Sequence, residues 1–416
     1  MSKIEAPRGT RDILGDESWK WAYVRRVAQG VVNDFGYKEI SLPIFEHTEL
    51  FHRGVGQTTD VVEKEMYTFL DKGGRSITLR PELTASVMRS YIEHNMARGS
   101  QPQKFWCIGP MFRYERPQKG RYRQFVQLDI EAIGSKSPLL DVEIIDLSME
   151  FYRRLGLKNL QVVLNSVGCP ECRPLYKKAL QDFLAPHLPE LCESCQGRFD
   201  RNPLRILDCK TPSCKAITEN APSILDHLCP DCRAHFDTVI NALEKLGAEI
   251  KLDKRLVRGL DYYTKTAFEI LSGDLGSQNA VCGGGRYDNL AEAIGGASTP
   301  GVGFASGLER VVLTMESQGA TFGREPRNRA YIVTADDTAV LEAARTANIL
   351  RANHIATDMD YMSRSVKAQM KTASGTSDFA VILGQSEIEQ HNYTLKNMAT
   401  GEQETLSLEE LIDKLK

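Results

Sequence analysis

The sequence predicts an α+β chain: a domain built on a mostly antiparallel sheet, interrupted by a cysteine-rich insertion and followed by a small α/β domain. Three observations predict it. Strand-like runs recur with few helices between them as far as Ala305, eight of the ten cysteines crowd into one stretch, and strands alternate with helices after a polar segment at residues 316–328. A length of 416 residues allows two to four domains at roughly 100 to 200 residues each.

Each element has its own signal. Val24, Val27, Ala28, Val31 and Phe35 repeat at helical spacing, and a short strand at residues 38–42 ends at Pro43. Strand-like runs follow at residues 66–70, 76–79, 104–111 and 125–133, with helical patterns after Pro81 and at residues 141–155. The cysteine-rich stretch, about residues 168–252, breaks this series. Strands resume at residues 267–271, 280–282 and 301–305, and a helix starts near Gly307. The Gly- and Pro-bearing residues 316–328 read as a linker, which gives a first domain at 1–320, a linker at 321–328 and a second domain at 329–416. In the second domain, strands at residues 330–334, 355–359 and 379–383 alternate with helices at 338–351 and 364–372, a βαβαβ pattern. Ser407 and Glu410 form the capping box of a last helix.

Composition narrows the function classes. With 42% apolar and 26% charged residues the chain is neither disordered, collagen-like nor a coiled-coil rod. The 52 basic and 55 acidic side chains leave a net charge of −3, which argues against a protein that coats nucleic acid indiscriminately. No apolar run approaches the ~18 residues of a membrane span, and the first five residues lack the apolar segment of a signal peptide. A cytoplasmic protein is expected, with no membrane partner. In that reducing setting the pairs Cys169/Cys172, Cys192/Cys195, Cys209/Cys214 and Cys229/Cys232 read as ligands of one or two structural Zn²⁺ ions rather than as disulfides. Buried free thiols are the plain alternative. Cys107 and Cys282 stand alone as packing residues.

Candidate chemistry lies around the strand at residues 125–133. Val126, Leu128, Ile130 and Ala132 point one way, and Gln127, Asp129 and Glu131 the other. A half-buried strand with a wet outer face would do the same. Just upstream, Arg113 to Arg123 holds five basic residues and one acid, a local +4 suited to phosphates because Arg meets phosphate oxygens bidentately. Arg80-Pro81-Glu82-Leu83-Thr84 opens a helix, where a Glu also compensates the dipole. Arg258-Gly259-Leu260-Asp261-Tyr262-Tyr263 and Cys282-Gly283-Gly284-Gly285-Arg286-Tyr287-Asp288 combine Arg and Tyr with glycines of the kind that make tight turns or admit a ligand to the backbone. Gly301 to Arg310 sets an Arg on the first turn of a helix after a glycine-spaced strand.

In their order and joint occurrence these segments resemble a class II aminoacyl-tRNA synthetase, and within that class the histidyl-tRNA synthetase family, over essentially the whole chain. Residues 36–43 resemble the first class motif, whose helix and proline-ended strand imply a homodimer interface. Residues 112–131 resemble the second motif and 301–310 the third. The segments Arg258 to Tyr263 and Gly284 to Asp288 resemble the two histidine-specific motifs, and Pro7 to Asp12 the family's opening segment.

The resemblance implies a histidine–tRNA ligase that first joins L-histidine to the α-phosphate of ATP, with Mg²⁺, and then passes histidine to the 3′ end of histidine tRNA. By resemblance Arg113 and Arg258 flank the α-phosphate and Arg310 meets the far phosphates, a catalytic set of three. ATP is further held by Glu115 and Arg121. Histidine is bound by Glu82, the Leu83 backbone, Thr84, Arg113, Gln127, Glu131, Arg258, Tyr262 and Tyr263, with Glu131 and the two tyrosines around the imidazole. No side chain is an obvious base for the second step, which leaves the adenylate's own phosphate. Arg116 and Gln118 resemble the part that reads the 5′ end of the tRNA. The last domain resembles an anticodon-binding domain in which Arg364, Lys367 and Lys371 put three positive charges on one helix; such a charge also serves solubility. The cysteine-rich insertion is expected near the acceptor arm.

The rival reading is the synthetase-like regulatory subunit of ATP phosphoribosyltransferase, a binding protein on the same fold. It generally lacks the last domain and lets the Arg258 region drift, whereas both are intact here. The paired Tyr262-Tyr263 disfavours a class II synthetase for proline or threonine, and a zinc-dependent nucleic-acid module leaves everything but the cysteines unexplained.

Overall fold

A computed structural model describes residues 3–273 and 280–416. The chain divides into two compact units, Met1–Gly323 and Arg324–Lys416.

The strands of the first unit are, in chain order, Lys38–Glu39 (β1), Phe45–His47 (β2), Tyr67–Leu70 (β3), Ser76–Leu79 (β4), Gln103–Phe112 (β5), Gln124–Ile133 (β6), Leu160–Ser166 (β7), Ile250–Leu252 (β8), Thr264–Ser272 (β9), Ala280–Arg286 (β10) and Gly301–Gly307 (β11). Eight of them form one sheet in the order β1-β5-β6-β11-β10-β9-β7-β8, and β2-β4-β3 form a small second sheet. The inner pairings of the large sheet are antiparallel, as the scarcity of crossover helices requires. Only the edge strands β1 and β8 pair in parallel.

Burial separates the faces of the sheet. Leu128, Ile130 and Ala132 of β6, with Val302 and Phe304 of β11, enter a core shared with the helices Asp16–Asp34, Pro138–Arg154, Pro230–Lys245 and Leu308–Ser317. These helices carry apolar residues at three- and four-residue spacing, Val24, Ala28 and Val31 in the first of them, so each lays a stripe on the sheet. The opposite face carries the cleft described below.

Several sequence expectations need correction. The first strand ends at Glu39 rather than at residue 42, because its ladder has only Phe105 and Trp106 to pair with. The glycine run Gly283-Gly284-Gly285 is strand, not turn. The far boundary of the insertion lies near Cys232 rather than at 252: Phe236, Val239 and Leu243 of the following helix belong to the main core, and β8 joins the main sheet. Residues 316–323 are not free linker, since the preceding helix runs to Ser317 and the Phe322 ring packs edge-on against Trp19 and Tyr23.

The second unit has a five-stranded sheet made of Asn328–Thr334 (β12), Thr357–Met359 (β13), Ser377–Leu383 (β14), Tyr393–Asn397 (β15) and Gln403–Leu406 (β16), in the order β13-β12-β14-β15-β16. The first three are parallel, as the βαβαβ pattern requires. The last two extend the sheet antiparallel and went unnoticed because their sequences are largely polar. The Ser407–Glu410 capping box forms as expected. No helix among the described residues is long and apolar enough to cross a membrane.

Candidate active site

Cross-strand register builds the floor of the cleft. Opposite one another across four strands lie Asp129, Ala305, Gly283 and Glu269, and in the next row on the same face Glu131, Gly303, Gly285 and Ala267. The middle of each row is small; acids flank the first row on both sides and the second at Glu131. A Cβ on Gly283 would collide with the Arg258 guanidinium, and one on Gly303 with the Glu131 carboxylate. Glycine at these two positions is therefore a requirement of close approach.

Over this floor opens a cleft of about 1120 Å³, lined by one set of residues, Glu82, Thr84, Gln127, Asp129, Tyr262 and Tyr263, and by a second, Arg113, Glu115, Arg121, Arg258, Glu269 and Arg310. The first set is acidic. Glu82 accepts the backbone N–H groups of Thr84 (2.9 Å) and Ala85 (3.0 Å), so it does cap its helix, and it also accepts from the Tyr262 hydroxyl at 3.3 Å. Thr84 donates to Glu131 at 2.5 Å, and the Tyr287 hydroxyl donates to the other Glu131 oxygen. Asp129 and Glu131 are each only 2% exposed, which overturns a wet outer face for this strand. Burial raises the carboxyl groups of Glu82, Asp129 and Glu131 above their ordinary range. Three such groups in one place favour a cationic, hydrogen-bond-donating ligand. The rings of Tyr262 and Tyr263 lie 4.7 Å apart, and Tyr287 meets Tyr262 edge-on.

The second set is cationic. Arg258 pairs with Glu269 and lies over the Tyr263 ring, 5.6 Å from its centre. Arg113 is steered by the Pro81 carbonyl (2.9 Å) and Phe125, Arg310 donates to the Ala280 carbonyl (2.8 Å), and Arg121 pairs with Glu115. Burial lowers the pKa values of Arg121 and Arg310, and repulsion from Arg113 lowers both further. Arginines that depress one another suit a polyanion. Among the described residues, Gln127 Oε1, Asp129 Oδ2 and Arg258 Nε are buried without a hydrogen-bond partner, and all three belong to cleft-lining residues. A site that leaves polar atoms bare in this way is built for a ligand to complete.

Most sequence-derived candidates therefore gather around one cleft. Glu131 sits behind the cleft wall, held by Thr84 and Tyr287. Leu83 is buried with its side chain in the core formed with Val87, Tyr262 and Tyr263, so only its backbone can face a ligand. Arg116 and Gln118 are exposed on the loop between β5 and β6, where Gln118 and Arg121 close a tight turn. In the second unit one placement is corrected: Arg364 precedes its helix, Val366–Thr376, instead of lying on it. Its guanidinium is engaged by Asp360, Tyr331 and Thr372, because the chain turns at Asp360 to accept it. Lys367 and Lys371 do share that helix and are exposed. Sequence reading missed Glu269, a lone acid in an apolar strand, and Glu309, whose carboxylate accepts the Val126 N–H at 3.0 Å and whose pKa burial pushes up to about 7.

The eight clustered cysteines separate into two groups, Cys169/Cys172/Cys229/Cys232 and Cys192/Cys195/Cys209/Cys214. Within each group the sulfurs lie within 4.8 Å of one another, a spacing that can hold a metal ion. Burial alone would raise the Cys172 thiol, yet backbone N–H groups of Cys169 and Cys229 bring it down to about 7.

Comparison with known proteins agrees with the cleft. The family model described as histidyl-tRNA synthetase matches residues 9–311, and one described as an anticodon binding domain matches 329–416. The histidine–tRNA ligase of Acetivibrio thermocellus is 52% identical over 99% of this chain and 99% of its own, and that of Desulforamulus reducens is 52% identical over 98% and 97%. The crystal structure of apo histidyl-tRNA synthetase from S. aureus is 41% identical, covers 99% of this chain and 100% of its own, and superposes with a TM-score of 0.84. With an acidic pocket, an arginine cluster and a glycine floor in one cleft, and relatives of this identity along its whole length, the chain belongs to the histidyl-tRNA synthetase family of class II aminoacyl-tRNA synthetases.

Proposed function

We propose that the chain is a histidine–tRNA ligase that activates L-histidine with ATP and then charges histidine tRNA. The carrying observation is the union in one cleft of buried carboxylates and a cluster of arginines. Histidine's ammonium and ring N–H groups meet Glu82, Thr84, Gln127 and Tyr262, with Tyr263 and Glu131 completing the ring's surroundings. Its carboxylate then points toward the arginines, where it attacks the α-phosphate. Arg113 and Arg258 approach that phosphate from opposite sides and offset the charge that grows on its oxygens, while Arg310 and Arg121 hold the far phosphates. Glu115 and Glu269, the carboxylates paired with Arg121 and Arg258, are the hard oxygen donors that would hold an Mg²⁺ accompanying ATP, which would supply charge neutralisation at the polyphosphate.

In the second step the 3′-hydroxyl of the tRNA attacks the adenylate carbonyl, with the adenylate phosphate as proton acceptor. Arg116 and Gln118, exposed beside the cleft, face the tRNA end. The unit that begins at Arg324 binds the anticodon, with Lys367 and Lys371 on backbone phosphates and Arg364 holding the turn before their helix. The enzyme works in the cytoplasm as a homodimer. The regulatory-subunit alternative is not favoured. One structural relative from Bacillus halodurans is titled as an ATP phosphoribosyltransferase regulatory subunit/histidyl-tRNA synthetase, but at 22% identity and a TM-score of 0.66 it shares the fold alone.

Histidine-dependent exchange of pyrophosphate into ATP tests the reading. Exchange is expected with histidine and with no other amino acid; support by another amino acid, or none at all, would remove it.

A further inference from the structure

We infer that the insertion binds two Zn²⁺ ions in separate, nested four-thiolate sites, and that the inner ion positions Arg258 through Arg205. The kinetic half of this inference rests on the role given to Arg258 above; the metal half does not.

The geometry of both sites fits the ion. A tetrahedral centre with Zn–S bonds of about 2.3 Å separates its sulfurs by about 3.8 Å. The Cys169 sulfur lies 3.6 Å from that of Cys172 and 3.8 Å from that of Cys229, and Cys192 lies 3.8 Å from Cys209. All ten cysteines are free thiols. Each site also directs a backbone N–H at one of its sulfurs, Cys229 to Cys172 at 3.1 Å and Cys192 to Cys214 at 3.2 Å, the outer contact that thiolate ligands receive in closed sites. The apolar core beneath them is small, centred on Tyr176, Leu180, Leu184, Ile206 and Ile224. A lobe of that size needs staples.

The two sites are placed for different tasks. The outer site joins the first and last cysteine pairs and so closes the base of the lobe. Next to it, Arg173 donates to the carbonyls of Val167 and Tyr263. The inner site bounds the stretch between Cys195 and Cys209, and four side chains of that stretch reach the body of the first unit, two of them the segment at Arg258 to Asp261. Arg198 pairs with Asp60 (2.8 Å) and Arg201 with Glu63 (3.3 Å), Asn202 donates to Asp261 (3.0 Å), and Arg205 donates to the backbone carbonyl of Arg258 (3.1 Å). The inner ion fixes both ends of this stretch, and the stretch fixes the main chain from which the Arg258 guanidinium reaches Gly283. Arg205 is thus a positioning residue.

Elemental analysis of the purified full-length protein should give two equivalents of zinc per chain. One equivalent or none, or iron in place of zinc, would overturn the two-zinc assignment. The Cys192→Ser/Cys209→Ser variant should keep one equivalent and its circular dichroism; retention of two, or loss of both, would overturn the nested pairing. Arg205→Ala, which leaves the cysteines untouched, should keep both zinc ions yet lower kcat for exchange roughly tenfold, with histidine KM within about twofold. Arg205→Lys, which keeps a donor for the carbonyl, should recover most of the loss. Undiminished kcat in Arg205→Ala, or no recovery in Arg205→Lys, would overturn the positioning role. Loss of exchange in the unmodified protein would sink the ligase reading and leave the zinc count standing.

Discussion

Two buried ionic clusters lie on opposite faces of the same sheet, and they are built to opposite rules. On the helix-covered face, Arg286 is fully enclosed and pairs with Asp141 and with Asp288 at 3.1 Å, while the Ser135 (2.9 Å) and Ser137 (3.0 Å) carbonyls take its remaining N–H groups. His235, from the helix that leaves the cysteine-rich lobe, completes Asp141 at 3.1 Å. On the cleft face, Arg258 has its Glu269 partner but leaves Nε bare, and Asp129 and Gln127 each leave an oxygen bare. A satisfied cluster locks a fold, and an unsatisfied one waits for a ligand. Their titration differs in the same sense. Burial would raise Asp141, but its bond to His235 and the nearby Arg286 bring it below the ordinary range, so its stabilisation is lost as pH falls. The cleft carboxylates are raised by burial, so they favour the fold most at low pH and lose that contribution as pH rises.

The largest effect should come from the locked side. Arg286→Ala leaves Asp141 buried and unpaired, and urea unfolding should show a loss of about 3–5 kcal/mol. A loss below about 1 kcal/mol would break the contrast. Next, Arg258→Ala should lower kcat for pyrophosphate exchange by roughly 10²–10³ with little change in histidine KM or in urea midpoint; a stability loss matching that of Arg286→Ala would erase the difference between the faces. A smaller effect tests the sign of the pH dependence. Glu309 titrates near 7 in the fold against 4.5 ordinarily, so its cost to stability grows as pH rises through that window. Glu309→Gln should therefore gain thermal stability over the parent at about pH 8 and lose that advantage at about pH 5. The smallest change is expected from the second unit: Lys367→Ala/Lys371→Ala should weaken tRNA binding and flatten its salt dependence without altering pyrophosphate exchange.

How much of this was legible in the sequence follows from the range of each signal. Alternation along residues 125–133 put Gln127, Asp129 and Glu131 on one face, and motif order gathered Arg113, Arg258 and Arg310, because side-chain periodicity and short motifs are local. Cross-strand facts were not legible. Nothing near Gly283 says that its missing side chain makes room for Arg258, and the glycine run read as a turn. The polar strand β16 hid for a related reason, since an edge strand needs little apolar sequence when one neighbour supplies the ladder, and β15, held between β14 and β16, offers only Tyr393 and Leu395 as apolar signal. Arg364 looked like a member of a helical charge row until the turn at Asp360 removed it. The cysteine spacing announced metal chemistry, but which pair meets which is decided by how the lobe folds back on itself.

The row of small residues along the cleft floor also bears on inhibition. A flat compound laid along this row would meet Ala305 together with the Arg258 guanidinium that covers Gly283 and the Glu131 carboxylate that covers Gly303. A mutant that sought to evade it by adding bulk at either glycine would first displace Arg258 or Glu131, the groups we assign to the phosphate and to the substrate ring. Escape would have to come from the walls, where the fully buried Tyr287 leaves little slack, so the floor is the part of the cleft on which selection has the fewest moves.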